Sequence, residues 1–186
     1  VRFGHFVTKA PPLALLAAAL GGCGTGSEPN AVQSERAALN GYLREVEPVR
    51  LAVNRLLEGA DPILSAYRER RIPAREASLR MGGLERRFAA YTVEMAAVEP
   101  ATASLRSLNA PYSHTYVLED SYLSALTAGL AQGDLGGLPD TQSAQRAAIV
   151  QWRTGLAVLA HRVGLTLPAD LQAAGRGEIA PSPGDS

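Results

Sequence analysis

Between residues 81 and 98 the large apolar side chains fall at Met81, Leu84, Phe88, Tyr91, Met95 and Val98, in steps of three and four. That spacing follows the 3.6-residue turn and lines one face of an α-helix, whereas a strand alternates its faces every two residues. The same rhythm recurs in three other stretches, and strand-like alternation is nearly absent. A chain patterned in this way has to bury helix stripes against one another.

The first stretch runs from about Ala31 to Arg71 and carries Leu39, Leu43, Val46, Val53, Leu56, Leu57, Ile63, Leu64 and Tyr67. Pro48 lacks an amide hydrogen and crowds the preceding turn, so it predicts a kink. Asp61-Pro62 suits an N-cap and first-turn proline, which predicts that the helix restarts after Gly59. The second stretch begins near Pro73, expected in a first helical turn, and ends before Pro100. Within it Gly82-Gly83 either weakens the helix or lets another one approach closely.

The third stretch, from about Ala101 to Gln132, carries Leu105, Leu108, Tyr112, Tyr116, Tyr122, Leu123, Leu126 and Leu130, with Pro111 expected to bend it near its start. GDLGGLPD at 133–140 is a cluster of turn formers, and the last helix follows to about Val163 with Ile149, Trp152, Leu156 and Leu159 on its stripe. Leu165-Thr166-Leu167 runs into Pro168 and is expected to cover the end of the bundle, and residues 168–186 read as a partly flexible tail. Aromatic residues are only 5% of the chain, so Ala and Leu dominate the packing. The expected fold is all-α, an antiparallel up-down four-helix bundle with a kinked first helix, spanning 31–167. Burial of about 20 large apolar side chains, at roughly 1.5 to 3 kcal/mol each, requires no cofactor for folding.

The amino terminus follows another pattern. Residues 1–10 carry Arg2, His5 and Lys9 with no acid, and PPLALLAAAL follows as an uncharged apolar run. Such a run suits the core of a secretory signal peptide and is shorter than the roughly 20 apolar residues that cross a bilayer. Valine at position 1 fits an alternative start codon. Leu20-Gly21-Gly22-Cys23 comes next, and this order of basic region, apolar run, small residues and cysteine resembles the lipobox of bacterial lipoprotein precursors.

The resemblance covers only the first 23 residues. It implies a signal peptide over 1–22, cleavage before Cys23, a thioether-linked diacylglycerol on that cysteine and often a further acyl chain such as palmitate on the new amino group. Cys23 is the only cysteine, so it has no partner for an internal disulfide, and lipidation gives it a role. Residues 24–30, GTGSEPN, then read with Cys23 as a lipidated tether (23–30) that holds the domain at the surface of the cell membrane. The expected location is extracytoplasmic, in the cell envelope, with the lipid as membrane anchor.

Removal of Arg2 and Lys9 with the signal leaves 16 basic against 18 acidic residues, a net charge of −2. That balance offers no electrostatic footprint for nucleic acid and no polybasic patch for anionic lipid. Lys9 is the only lysine, and the arginine bias carries no functional reading.

The third helix holds the least ordinary segment. Steps of three and four from Leu105 through Leu108, Tyr112 and Thr115 arrive at Glu119, then Tyr122 and Leu126. A carboxyl group is thereby aimed at the core, where it must meet an arginine or hydroxyl groups, or be protonated. Arg153, one place off the last stripe, and Arg86 or Arg87 are the candidate partners; Gln142 and Gln145 fall on that same last stripe. Tyr112, Tyr116, Glu119 and Tyr122, with His114 and Asp120 nearby, line either a ligand or metal pocket or a buried polar network that fixes helix register.

A ferritin-like centre needs Glu-x-x-His on two helices, but Pro111 precedes His114 by three residues and Val158 precedes His161. No nucleophile elbow, phosphate loop or CxxC is present. The expectation is a non-enzymatic lipoprotein that binds an envelope partner or small ligand. The alternative is a small-molecule or metal-binding bundle, a metal-dependent enzyme included, centred on His114 and Glu119.

Overall fold

The first stripe runs unbroken through α1, Ser27–Leu57, where Leu39, Tyr42, Leu43, Val46, Val49 and Val53 turn inward. The structure, a computed structural model, describes residues 27–172. The expected signal, Cys23 and the first part of the tether lie outside the described residues, as do residues 173–186 of the expected tail.

α1 begins earlier than its stripe suggests and takes in Ser27–Asn30, which were expected in the tether. Pro48 does not interrupt the helix. It is solvent-exposed, as is Arg44, whose carbonyl loses its amide partner to the proline, so water can satisfy that group. Val46, Val49 and Val53 hold both sides of the proline to the core.

The interruption comes at Glu58-Gly59 instead, and α2, Ala60–Arg68, follows. Asp61 is not its N-cap; Gly59 holds that position, and Asp61 sits in the first turn where its charge complements the helix dipole.

α3, Ala74–Ala96, starts just behind Pro73, whose extended backbone makes it the cap and not part of the first turn. Ala77, Met81, Leu84, Phe88 and Met95 are buried along it, and Tyr91 is partly so. α4, Ala103–Gln132, is capped by Thr102, whose hydroxyl accepts from the Leu105 amide at 3.3 Å, and it continues through Pro111. It ends at Gly133, which has φ +72°, while the Asp134 amide donates back to the Gly129 carbonyl at 3.0 Å. A Cβ on Gly129 would lie 2.5 Å from the Asp134 carbonyl oxygen, so only glycine closes this turn.

α5, Gln142–Arg162, buries Gln145, Ile149, Trp152, Leu156 and Leu159. The chain then forms α6, Ala169–Gln172, so the tail expected from residue 168 opens as one ordered turn. Leu167 and Leu171 are buried and share the common core, which extends the packed unit beyond residue 167. Leu171 lies on the turn itself and Leu167 just before it.

α1 packs on α3 and α5, α3 on α4, and α4 on α5, while α2 lies against α3 and α1. The result is a helical bundle around one hydrophobic core, with no strand among the described residues. Two glycines let helices approach. Gly82 is buried with its Cβ position 3.3 Å from Thr127, and a Cβ on Gly155 would lie 2.3 Å from a methyl of Leu108. Among the described residues, no helix is long and apolar enough to cross a membrane.

Candidate functional site

Register on α4 and α5 carries polar groups into the core. Tyr112, Thr115, Glu119 and Tyr122 share the inward face of α4, as their spacing predicts, and Glu119 is 2% exposed. Gln145 on α5 donates from Nε2 to Oε2 of Glu119 at 3.0 Å.

Arg86 and Arg87 lie on the exposed side of α3, and Arg153 turns toward the end of the bundle, where its Nη1 donates to the Asp170 carbonyl at 2.9 Å. Gln145 is on the α5 stripe itself and Arg153 is one place off it.

Aromatic rings extend the polar interior from Glu119. Tyr116 stacks on Phe88 at 5.9 Å and meets Tyr112 edge-on, with the two phenol oxygens 3.4 Å apart. Tyr112 lies flat on Trp152, ring centroids 3.9 Å apart and planes 7° from parallel. The Trp152 indole donates to the Tyr42 hydroxyl at 2.7 Å, and that hydroxyl donates onward to Asn109 Oδ1 at 2.9 Å. Burial pushes the Tyr42 phenol well above its ordinary pKa, outweighing the opposing effect of the Trp152 hydrogen bond. Tyr42 therefore stays a neutral relay between α1, α4 and α5.

Val53, Phe88, Thr115, Tyr116 and Glu119 enclose a cavity of about 10 Å³. That is room for about one water. The other candidates do not converge on it: His114 is exposed, and Asp120 is half-buried beside Glu85. Burial and, secondarily, the Glu85 charge raise the Asp120 pKa. Among the described residues, no three His, Cys, Asp or Glu side chains gather as a set of metal ligands.

Two features lie outside the expected segment. An open groove of about 480 Å³ runs between α1 and α3, lined by Ala52, Leu56, Ala90 and Tyr91 with Arg55, Arg87 and Glu94 at its edges. Its volume is in the range of binding clefts, and its floor is apolar with charges at the margin.

The second is Arg50, 1% exposed, which holds Glu47 through Nε at 3.0 Å and Nη2 at 2.8 Å and also donates from Nη2 to Asp170. The Arg50 hydrogen bond holds the Asp170 carboxyl below the usual carboxylate range. Comparison of the chain with protein-family models, curated proteins and solved structures finds no match.

Proposed function

We propose that this chain is a bacterial lipoprotein, anchored through lipid on Cys23, whose helical bundle acts by non-enzymatic binding of a protein of the cell envelope. The anchor reading rests on the basic region, apolar run and Leu20-Gly21-Gly22-Cys23 of the sequence. An α1 that begins at Ser27 leaves residues 24–26 between the lipid and the bundle, a reach of at most about 10 Å. The bundle is then held against the bilayer. We infer an up-down arrangement of α1, α3, α4 and α5, because each touches two of the others and residues 97–102 and 133–141 are short connections.

The observation that carries the binding reading is the α1–α3 groove. Its apolar floor and the exposed charges of Arg55, Arg87 and Glu94 suit a protein segment better than a buried small molecule. A ligand pocket at Glu119 has less support, since the cavity there admits about one water.

Two measurements test this. Cys23→Ser should move the protein from the membrane fraction to the soluble fraction, and persistence at the membrane would sink the anchor. A photo-crosslinker at Ala90 should capture an envelope protein, lose it on Tyr91→Glu, and capture nothing from exposed Val158 on α5. Equal capture from both positions, or none from Ala90, would sink the groove.

A further inference from the structure

α3 carries a second line of three-and-four steps, on the side away from the core. Leu79, Gly83, Arg86, Ala90 and Val93 follow one another by four and three residues, opposite the buried Met81, Phe88 and Met95. Leu79 is 66% exposed and Val93 70%. Gly83 and Ala90 stand between them, too small to hold another helix at a distance. Arg87, Ala90 and Glu94 also border the α1–α3 groove, so the line and the groove are one continuous surface.

Exposed aliphatic residues alone do not choose a partner. α5 exposes Val150 and Val158 to a similar degree, but its sequence holds arginines and no acid, so two α5 faces would repel each other. α3 differs in this respect. Arg87 and Glu94 lie two turns apart on the same flank of its outward line. Arg87 donates to the Gly83 carbonyl of its own helix at 3.2 Å, and neither Arg87 nor Glu94 has an ion-pair partner among the described residues.

Two α3 helices laid antiparallel about an axis between Ala90 and Tyr91 bring Arg87 of each copy to Glu94 of the other, because the two charges are equidistant from that point. A parallel pair would set like charges together. The face is thus complementary to itself in one orientation.

We propose that the protein segment taken up at the α1–α3 groove is α3 of a second copy of this chain, in a two-fold dimer whose antiparallel α3 helices meet at Ala90. This rests on the groove reading given above and names its partner. Val93 of each copy comes to lie beside Ala90 of the other, and Arg87 and Glu94 close two equivalent ion pairs at the rim.

The test follows the full chain by analytical ultracentrifugation, with Cys23→Ser throughout so that lipid does not gather copies together. The parent should dimerise. Arg87→Glu or Glu94→Arg alone should weaken the dimer at least about tenfold, since each sets like charges face to face. The double variant should return to within about threefold of the parent, and so should an equal mixture of the two single variants, because each then supplies the charge that the other lacks.

A parent that stays monomeric at about 100 μM overturns the proposal, as do single swaps without effect or a mixture that does not associate. Both positions are exposed, and unchanged helical circular dichroism will show that the swaps act on association and not on the fold. The photo-crosslinker at Ala90 separates this proposal from the groove reading beneath it. A product of twice the mass of the chain is expected; a product of any other mass overturns the second copy while the groove stands, and no product removes both.

Discussion

Glu119 and Arg50 are both ionisable groups sealed into one helical bundle, and they are sealed in different ways. Glu119 is joined to Gln145 between two long helices and is surrounded by Val53, Phe88, Thr115 and Tyr116, with space for about one water. Arg50 is equally buried, but part of its hydrogen bonding ends on Asp170, whose carboxylate is half in water on a one-turn helix. Changing a partner of Glu119 requires the bundle to open, whereas changing a partner of Arg50 requires only α6 to lift. Burial of a charge therefore says little about its permanence. The element that carries its partner decides that.

The contrast is most easily broken on the closed side. Trp152→Ala removes the ring that packs on Tyr112 and the donor to Tyr42, and should lower stability by about 3 to 5 kcal/mol in urea unfolding. A loss below about 1 kcal/mol would mean that this aromatic core is not what closes the bundle. Gln145→Leu withdraws a donor from the buried Glu119 and should cost about 1 to 3 kcal/mol, with a change in near-ultraviolet circular dichroism from the neighbouring tyrosines. An unchanged melting temperature would place Glu119 on the exchangeable side of the comparison.

Asp170→Asn should cost less than about 1 kcal/mol, because its half-exposed ion pair is screened by water. The pKa of Asp170 is lowered by folding, so its contribution is present above the unfolded value of about 3.9 and is lost as the pH falls through the folded value. The difference between wild type and variant should accordingly close between about pH 5 and the acid limit, and a difference that persists there would contradict the ion pair.

The smallest effect has the opposite sign. Asp120 has a raised pKa from burial and from Glu85, so its charge opposes folding at neutral pH and Asp120→Asn should raise the melting temperature slightly. A fall would mean that the carboxylate makes a favourable contact.

The stripes of α3, α4 and α5 were legible in the sequence, and so was the inward turn of Glu119, because steps of three and four are counted without knowing the partner. The hydrogen bond from Gln145 was not legible. It depends on which α5 residue is level with Glu119, and that is set by the turn at 133–141 and by packing. Arg50 carried the same signal as Glu119: it continues Leu39, Leu43 and Val46 by a step of four and precedes Val53 by a step of three.

Tyr42 and Asn109 stand beside apolar Leu43 and Leu108, which take the adjacent stripe positions, so spacing alone does not single them out. α6 had only Leu171 behind Pro168 to announce it, and a single turn owes its existence to the surface beneath it. The groove has no local signature, since it is made by two helices that are distant in sequence.

The meeting of Leu108 with Gly155 has a consequence for how this chain can vary. A Cβ at 155 would fall 2.3 Å from one Leu108 methyl and 2.8 Å from the other, so the two positions share one fixed volume. Gly155→Ala alone must force α5 off α4 or twist Leu108 from its rotamer, while the same change made together with Leu108→Ala leaves room for both. In descendants of this sequence the side chains at 108 and 155 should accordingly vary inversely in size, a larger residue at one tolerated only where the other has shrunk.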